Sequence, residues 1–313
     1  MSEPDPIPHW PGRPIDLGEH SVYVRSVPDD GGEPALCVHG LAGSSRNWTD
    51  LMDLLRPGLA ADALDLPGFG DSPPRPDGRY SIAALAQTVT SLIEHRGHGP
   101  VHLIANSLGG AVSVKLAATR PDLVRTLTLI SPALPDSRPR LDLIRFLVIS
   151  LPRVGARLLR KYEALPPQAR VADVIATCYS DPALFPPARF AAEVAELARR
   201  DTLDYATAAL VGSIRTLTAE FFKARAWRDA KRITAPTLVI YGSHDRLVDP
   251  RLAGRAAHAF PGARIVVLPR TGHLAHMEHP AQVAAEIDVL LAGIPAPAHR
   301  LMVGRDGPAR SVQ

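Results

Sequence analysis

Along most of this chain, short apolar runs of strand character alternate with stretches whose apolar residues recur at helical spacing. The runs at 20–27, 35–38, 61–65, 101–106, 126–130, 237–241 and 264–268 read as strands. Between them, 47–55, 81–95, 108–119 and 281–291 read as helices, and Pro121 marks the end of the third. The alternation predicts an α/β protein with a mostly parallel central sheet covered by helices on both faces. From 134 to 228 it stops: helical patterns continue, broken by Pro152, Pro166, Pro167, Pro182, Pro186 and Pro187, and no convincing strand is present. The chain therefore divides into a core (15–133 and 229–294), an inserted helical segment (134–228), an N-terminal extension (1–14) rich in proline and acid, and a loosely ordered tail (295–313).

Candidate chemistry sits where the run at 101–106 meets the following helix, at Asn106-Ser107-Leu108-Gly109-Gly110. A serine on a sharp strand-to-helix turn is exposed as a nucleophile only if the residues two positions either way are small. Here they are Ala105 and Gly109, a departure by one methyl from the usual G-x-S-x-G. A serine hydroxyl also needs a base, and the base needs an orienting carboxylate. Asp245 follows the run ending at 241, and His273 follows the run ending at 268. Loops leaving the carboxyl ends of parallel strands are where an open α/β sheet builds its site. Asp249 and Asp136 compete with Asp245, which has the G-x-x-D spacing after its strand. His276 and His279 compete with His273, which alone directly follows the small Gly272. His39 reads as shaping its loop rather than as a second base, and Asp65 and Asp71 frame a tight Pro-Gly turn.

With these residues in the order Ser, Asp, His, the chain resembles the α/β-hydrolase superfamily over nearly its whole length. Further matches are Val38-His39-Gly40-Leu41-Ala42-Gly43, Asp65-Leu66-Pro67-Gly68-Phe69-Gly70-Asp71-Ser72 and His273-Leu274-Ala275-His276-Met277-Glu278-His279-Pro280. The resemblance implies the α/β-hydrolase fold, with the insertion forming a helical cap between strands six and seven. It implies an oxyanion hole made by the backbone N–H groups of Leu41 and Leu108. It sets aside the dehalogenases and epoxide hydrolases of this fold, whose nucleophile is an aspartate. Serine-dependent carbon–carbon bond hydrolases share the Asn-Ser elbow, but typically carry a Ser-Gly-Pro-Gly-like oxyanion loop and a tryptophan after the histidine. This chain has Leu41-Ala42-Gly43-Ser44-Ser45 and Leu274 there.

Composition narrows the partners. The 313 residues carry a formal charge of +3 and two cysteines, Cys37 and Cys178. That charge is no argument for nucleic acid, and two cysteines make no disulfide framework. No zinc-ligand spacing or phosphate loop occurs, so no cofactor and no metal are expected. The N-terminus lacks the features of a secretory signal, and no run approaches the ~18 apolar residues of a membrane span, so a cytoplasmic location is expected. The stretch 142–159, apolar with interspersed arginines, reads in three ways: a helix closing the acyl pocket, a helix buried on the core, or a peripheral membrane contact through the cap with Arg145, Arg153 and Arg157 near head groups. The expected function is a serine esterase or lipase acting on a small apolar ester. The alternatives are a carbon–carbon hydrolase of vinylogous diketones and a catalytically silent ligand-binding protein. Oligomeric state is left open by the sequence.

Overall fold

A computed structural model describes residues 6–136, 138, 148–221, 223 and 225–294. Its centre is an eight-stranded sheet built from β1 (Gly12–Asp16), β2 (Ser21–Ser26), β3 (Glu33–Val38), β4 (Leu59–Asp65), β5 (Val101–Asn106), β6 (Val124–Ile130), β7 (Thr237–Gly242) and β8 (Arg264–Leu268), in the order β1-β2-β4-β3-β5-β6-β7-β8. The β1–β2 and β2–β4 pairs are antiparallel and every other pair is parallel. The helices are α1 (Thr49–Leu55), α2 (Ile82–Arg96), α3 (Ser107–Thr119), α4 (Pro152–Glu163), α5 (Pro167–Cys178), α6 (Pro187–Arg200), α7 (Ala206–Phe221), α8 (Arg225–Ala230), α9 (Leu252–Ala259), α10 (Ala275–Glu278) and α11 (Pro280–Ala292).

The strand residues sort by twos. Leu36, Val38, Leu103, Ala105, Val239 and Tyr241 join the core layer that also holds α2, α3, α8 and α9. Ala35, Cys37, Ile104, Leu238 and Ile240 join the opposite layer with α1 and α11. Both faces are buried, so the central strands are continuous apolar runs rather than alternating ones. The parallel strands β3 and β5–β8 end together at one edge, and the loops from that edge carry Leu41, Ser107, Asp245 and His273. A surface cleft lined by Pro28, Pro34, Ala60, Arg96, His98 and Val101 lies at the amino ends of β3–β5, away from those loops.

α4–α7 lie between β6 and β7, and no strand occurs among the described residues of that insertion. The prolines read as breaks are starts: α4, α5 and α6 open with Pro at N1 or N2, where the missing N–H removes no helical bond. α6 fastens the cap to the core through Arg189 on Asp50 (2.7 Å), Arg199 on Asp71 (2.9 Å) and Arg46 on Glu196 (3.1 Å). Of the stretch 142–159, residues 142–147, including Arg145, lie outside the described residues, as do 1–5 and the tail 295–313.

Two boundaries read from the sequence cut through elements. The extension 1–14 ends inside β1, which sequence reading missed; β1 is an edge strand with Ile15 as its one buried residue, so it has almost no pattern to read. Residues just before β1 are docked as well: His9 Nδ1 lies 2.7 Å from Thr49 Oγ1, and Trp10 Nε1 donates to Thr49 O at 3.1 Å. The insertion boundary at 228 falls within α8, whose Trp227 is buried in the core and donates to Pro135 O at 2.7 Å.

Candidate active site

Ser107 opens α3 directly from the end of β5, at φ 51°. An L-residue in this left-handed region is strained, and such strain persists only where the surroundings impose it. Here they do: a side chain at Gly109 would collide with the Val38 and His39 carbonyls, so the turn can be this tight only with glycine there. Ala105 is wholly buried between sheet and helix, and its methyl is accommodated. Ser107 O accepts from Ala133 N (2.9 Å), tying the elbow to the loop after β6.

The loop after β3 closes on this serine. A Cβ added at Gly40 would stand 3.0 Å from Ser107 Cβ and 2.7 Å from Asn106 Oδ1. His39 sets the loop's path. Its Nε2 accepts from Leu66 N (2.9 Å), so Nδ1 carries the proton and donates to Gly40 O (2.7 Å). Burial holds this imidazole neutral, with its pKa pushed down to about 4. Asp65 likewise serves turns: its carboxylate accepts from Ser45 N (2.5 Å) and Asp71 N (2.8 Å). Ala42 has φ 58°, and among the described residues neither Leu41 N–H nor Leu108 N–H is taken by an acceptor.

Asp245 is completely buried. Its Oδ1 accepts from Leu247 N (2.8 Å) and Val248 N (2.9 Å), which leaves Oδ2 facing His273 Nδ1 at 2.9 Å. The other candidates are elsewhere. Asp249 pairs with Arg251, Asp136 accepts from Arg138 N, and His279 lies 3.3 Å from Arg270 O. His276 is stacked on Trp48 at 4.2 Å and fully buried, with its pKa lowered to about 3 by desolvation and by His273. Of the three histidines, His273 is the one joined to Asp245. Ser107 Oγ and His273 Nε2 make no hydrogen bond among the described residues. The link between elbow and base runs instead through Asn106, whose Nδ2 donates to Ile130 O (3.1 Å) and His273 O (3.2 Å).

Two holding residues went unread in the sequence. Asn106 is one. Glu278 is the other: its buried carboxylate accepts from Gly272 N (2.7 Å), from Ser180 N (3.0 Å) and from Ser180 Oγ. His273 N also donates to Cys178 O (2.6 Å), and a side chain at Gly272 would strike Cys178 O. The histidine loop and the end of α5 are thus locked backbone to backbone through one carboxylate. Glu278→Ala is expected to lower the unfolding free energy by about 2–3 kcal/mol in urea titrations, since buried donors lose their acceptor. A loss below about 0.5 kcal/mol would show that the loop does not rest on it.

The ground beside this pair is apolar. Tyr179, Phe185, Phe190, Val194 and Leu197 of the cap cluster with Leu247, Leu274 and Met277, which neighbour Asp245 and His273 in the loops. No group of three or more His, Cys, Asp or Glu suited to a metal occurs among the described residues.

The family described as having the alpha/beta hydrolase fold matches residues 34–280. The chain is 30% identical over 276 residues to the dihydrolipoyllysine-residue acetyltransferase component of the acetoin cleaving system of Pseudomonas putida, covering 86% of this chain and 66% of that protein. It spans just under two thirds of the length of the relatives of that type. It is 24% identical over 296 residues to the sn-1-specific diacylglycerol lipase ABHD11 of Mus musculus, covering 88% of this chain and 89% of that one. Among solved structures, the 2-hydroxy-6-oxo-6-phenylhexa-2,4-dienoate hydrolase of Rhodococcus sp. strain RHA1 superposes with a TM-score of 0.76 at 20% identity, over 90% of this chain and 98% of that one.

Proposed function

The chain belongs to the α/β-hydrolase fold family, and from that premise we propose that it is a serine hydrolase cleaving carboxylic esters of an apolar or acyl substrate. One observation carries the reading: a buried Asp245–His273 pair at the carboxyl edge of the sheet, beside a serine held at φ 51°. Asp245 can only accept, so Nδ1 of His273 keeps the proton and Nε2 is left as a base. Ser107 Oγ attacks the ester carbonyl carbon as its proton passes to Nε2. The oxyanion settles on the N–H groups of Leu41 and Leu108, donors worth about 10²–10³ in rate each. Collapse expels the alcohol, which takes the proton from His273. Water, deprotonated by the same Nε2, then releases the acid. On this reading the serine-to-base hydrogen bond forms as substrate enters, since such bonds are often long or absent in resting sites. The apolar cluster at the cap supports an apolar acyl group, and the similarity to a diacylglycerol lipase points the same way.

A p-nitrophenyl ester series from acetate to palmitate tests this reading. Turnover with an optimum above acetate is expected, together with labelling of Ser107 by a fluorophosphonate probe. Labelling without ester turnover, alongside cleavage of a coloured dienol substrate, would move the assignment to carbon–carbon hydrolysis. No labelling and no turnover would leave a ligand-binding protein.

A further inference from the structure

α4 turns an apolar face to water. Leu151 at its start, Val154 and Leu158 are 50%, 52% and 43% exposed. At 3.6 residues per turn the three fall within a sector of about 60°. Leu165, just past the helix, is exposed as well. The neighbouring sector faces the protein: Gly155 and Leu159 are buried. Three contacts fix the helix in this orientation: Arg215 Nε to Ser150 O (3.4 Å), Tyr162 Oη to Arg170 O (3.3 Å) and Thr207 Oγ1 to Glu163 Oε1 (2.6 Å). On the other side of the apolar sector come Lys161 and Arg157, then Arg153 and Arg160. All are exposed, and none has a carboxylate partner among the described residues. The helix's one acid, Glu163, is held by Thr207.

We propose that this face of α4 docks on the surface of an anionic lipid membrane, with Leu151, Val154 and Leu158 at the acyl boundary and Arg153, Arg157, Arg160 and Lys161 at the phosphates. Apolar residues beside a cationic flank on one short helix match the two layers of such an interface. Charge selects the occupant. A second copy of this chain, paired face to face about a two-fold axis, would set these four cations against four more. A nucleic acid would take the cations but leave the leucines in water. At 12 residues α4 is too short to span a bilayer, so the contact is peripheral. The proposal goes beyond the ester reading and does not depend on it, since it is read without substrate.

The test is sedimentation of the full chain with vesicles of phosphatidylcholine alone, or with 30% phosphatidylglycerol, at low and high salt. Strong binding to the anionic vesicles is expected, at least about tenfold weaker on neutral ones and in high salt. Leu158→Asp and the pair Arg153→Gln and Arg157→Gln should each weaken it by about tenfold or more. Val289→Asp, at a site 54% exposed on α11, should leave it unchanged. All these positions are exposed, and equal Tm values for wild type and variants check that a loss of binding is not a loss of fold. Absence of binding to anionic vesicles, or binding that Leu158→Asp leaves intact, would overturn the proposal. So would a concentration-dependent dimer in sedimentation equilibrium that Leu158→Asp abolishes, which would make the face a contact between copies.

Discussion

Ser107→Ala is expected to lower kcat on the best p-nitrophenyl ester by at least about 10³-fold, with little change in stability. The loss is large because the proposed mechanism makes Ser107 Oγ the nucleophile. The stability is kept because alanine carries the same Cβ at φ 51°, so the strain of the elbow is present in both proteins. Whatever rate remains would come from the Leu41 and Leu108 N–H groups acting on substrate and water. Steady-state kinetics on wild type and variant, with Tm measured on the same samples, decide the matter. A pure variant with near wild-type turnover would remove the serine mechanism altogether.

The second large effect is on stability in acid. His276 is buried and neutral, with its pKa lowered to about 3 against 6.5 when free. The sign follows from linkage. Between those two values the unfolded chain binds a proton that the folded chain refuses, so the stabilisation is whole above pH 6.5 and drains away as pH falls. From pH 7 to 5 this one residue removes about 2 kcal/mol, and His39, with its pKa near 4, adds a similar amount. Together they take about 4 kcal/mol from a typical total of about 5–15. Asp65 and Glu193 act in the opposite sense, because burial raises their pKa values. A difference experiment cancels them. The pH 7 to 5 loss in urea stability should be about 2 kcal/mol smaller in His276→Phe than in wild type. Phenylalanine keeps the stack on Trp48 and removes a ring Nδ1 that has no partner. Equal pH slopes for the two proteins would show that His276 is not the acid-sensitive group.

How much of this was legible depends on what kind of contact carried it. β3 to β7 were readable because both faces of the sheet are buried there, and a run such as Val101–Asn106 has no polar face to confuse it with a surface segment. β8, an edge strand with Leu268 as its one buried residue, was readable from its unbroken apolar run Ile265-Val266-Val267-Leu268. The candidate nucleophile, acid and base were readable because each lies in a loop or turn leaving the carboxyl end of such a run; the acid and base do meet, His273 Nδ1 lying 2.9 Å from Asp245 Oδ2. β1 was not readable, since Gly12–Asp16 offers Ile15 as its one apolar side chain besides proline. α9 was missed for a related reason: Gly254 interrupts it, and its buried side is mostly alanine. Glu278 illustrates a deeper limit. It was visible inside one of the matched motifs, but two of its three partners are backbone N–H groups and two are donated by Ser180, 98 positions away, and backbone donors leave no signature in a sequence. Nor could the sequence say which side of α4 is wet.

The contact between Cys178 O and His273 N bears on how freely caps can be exchanged among related scaffolds. An insertion joined only at its two ends could be cut out and replaced by any other of matching span. This one is also held along its length, by the ion pairs of α6 and, at residues 178–180, by the loop that carries the base. A transplanted cap would have to bring a carbonyl to the same spot, or the recipient's histidine loop would lose a wall as well as a roof. Lifting such a cap would break the Cys178 O–His273 N bond together with the ion pairs of α6.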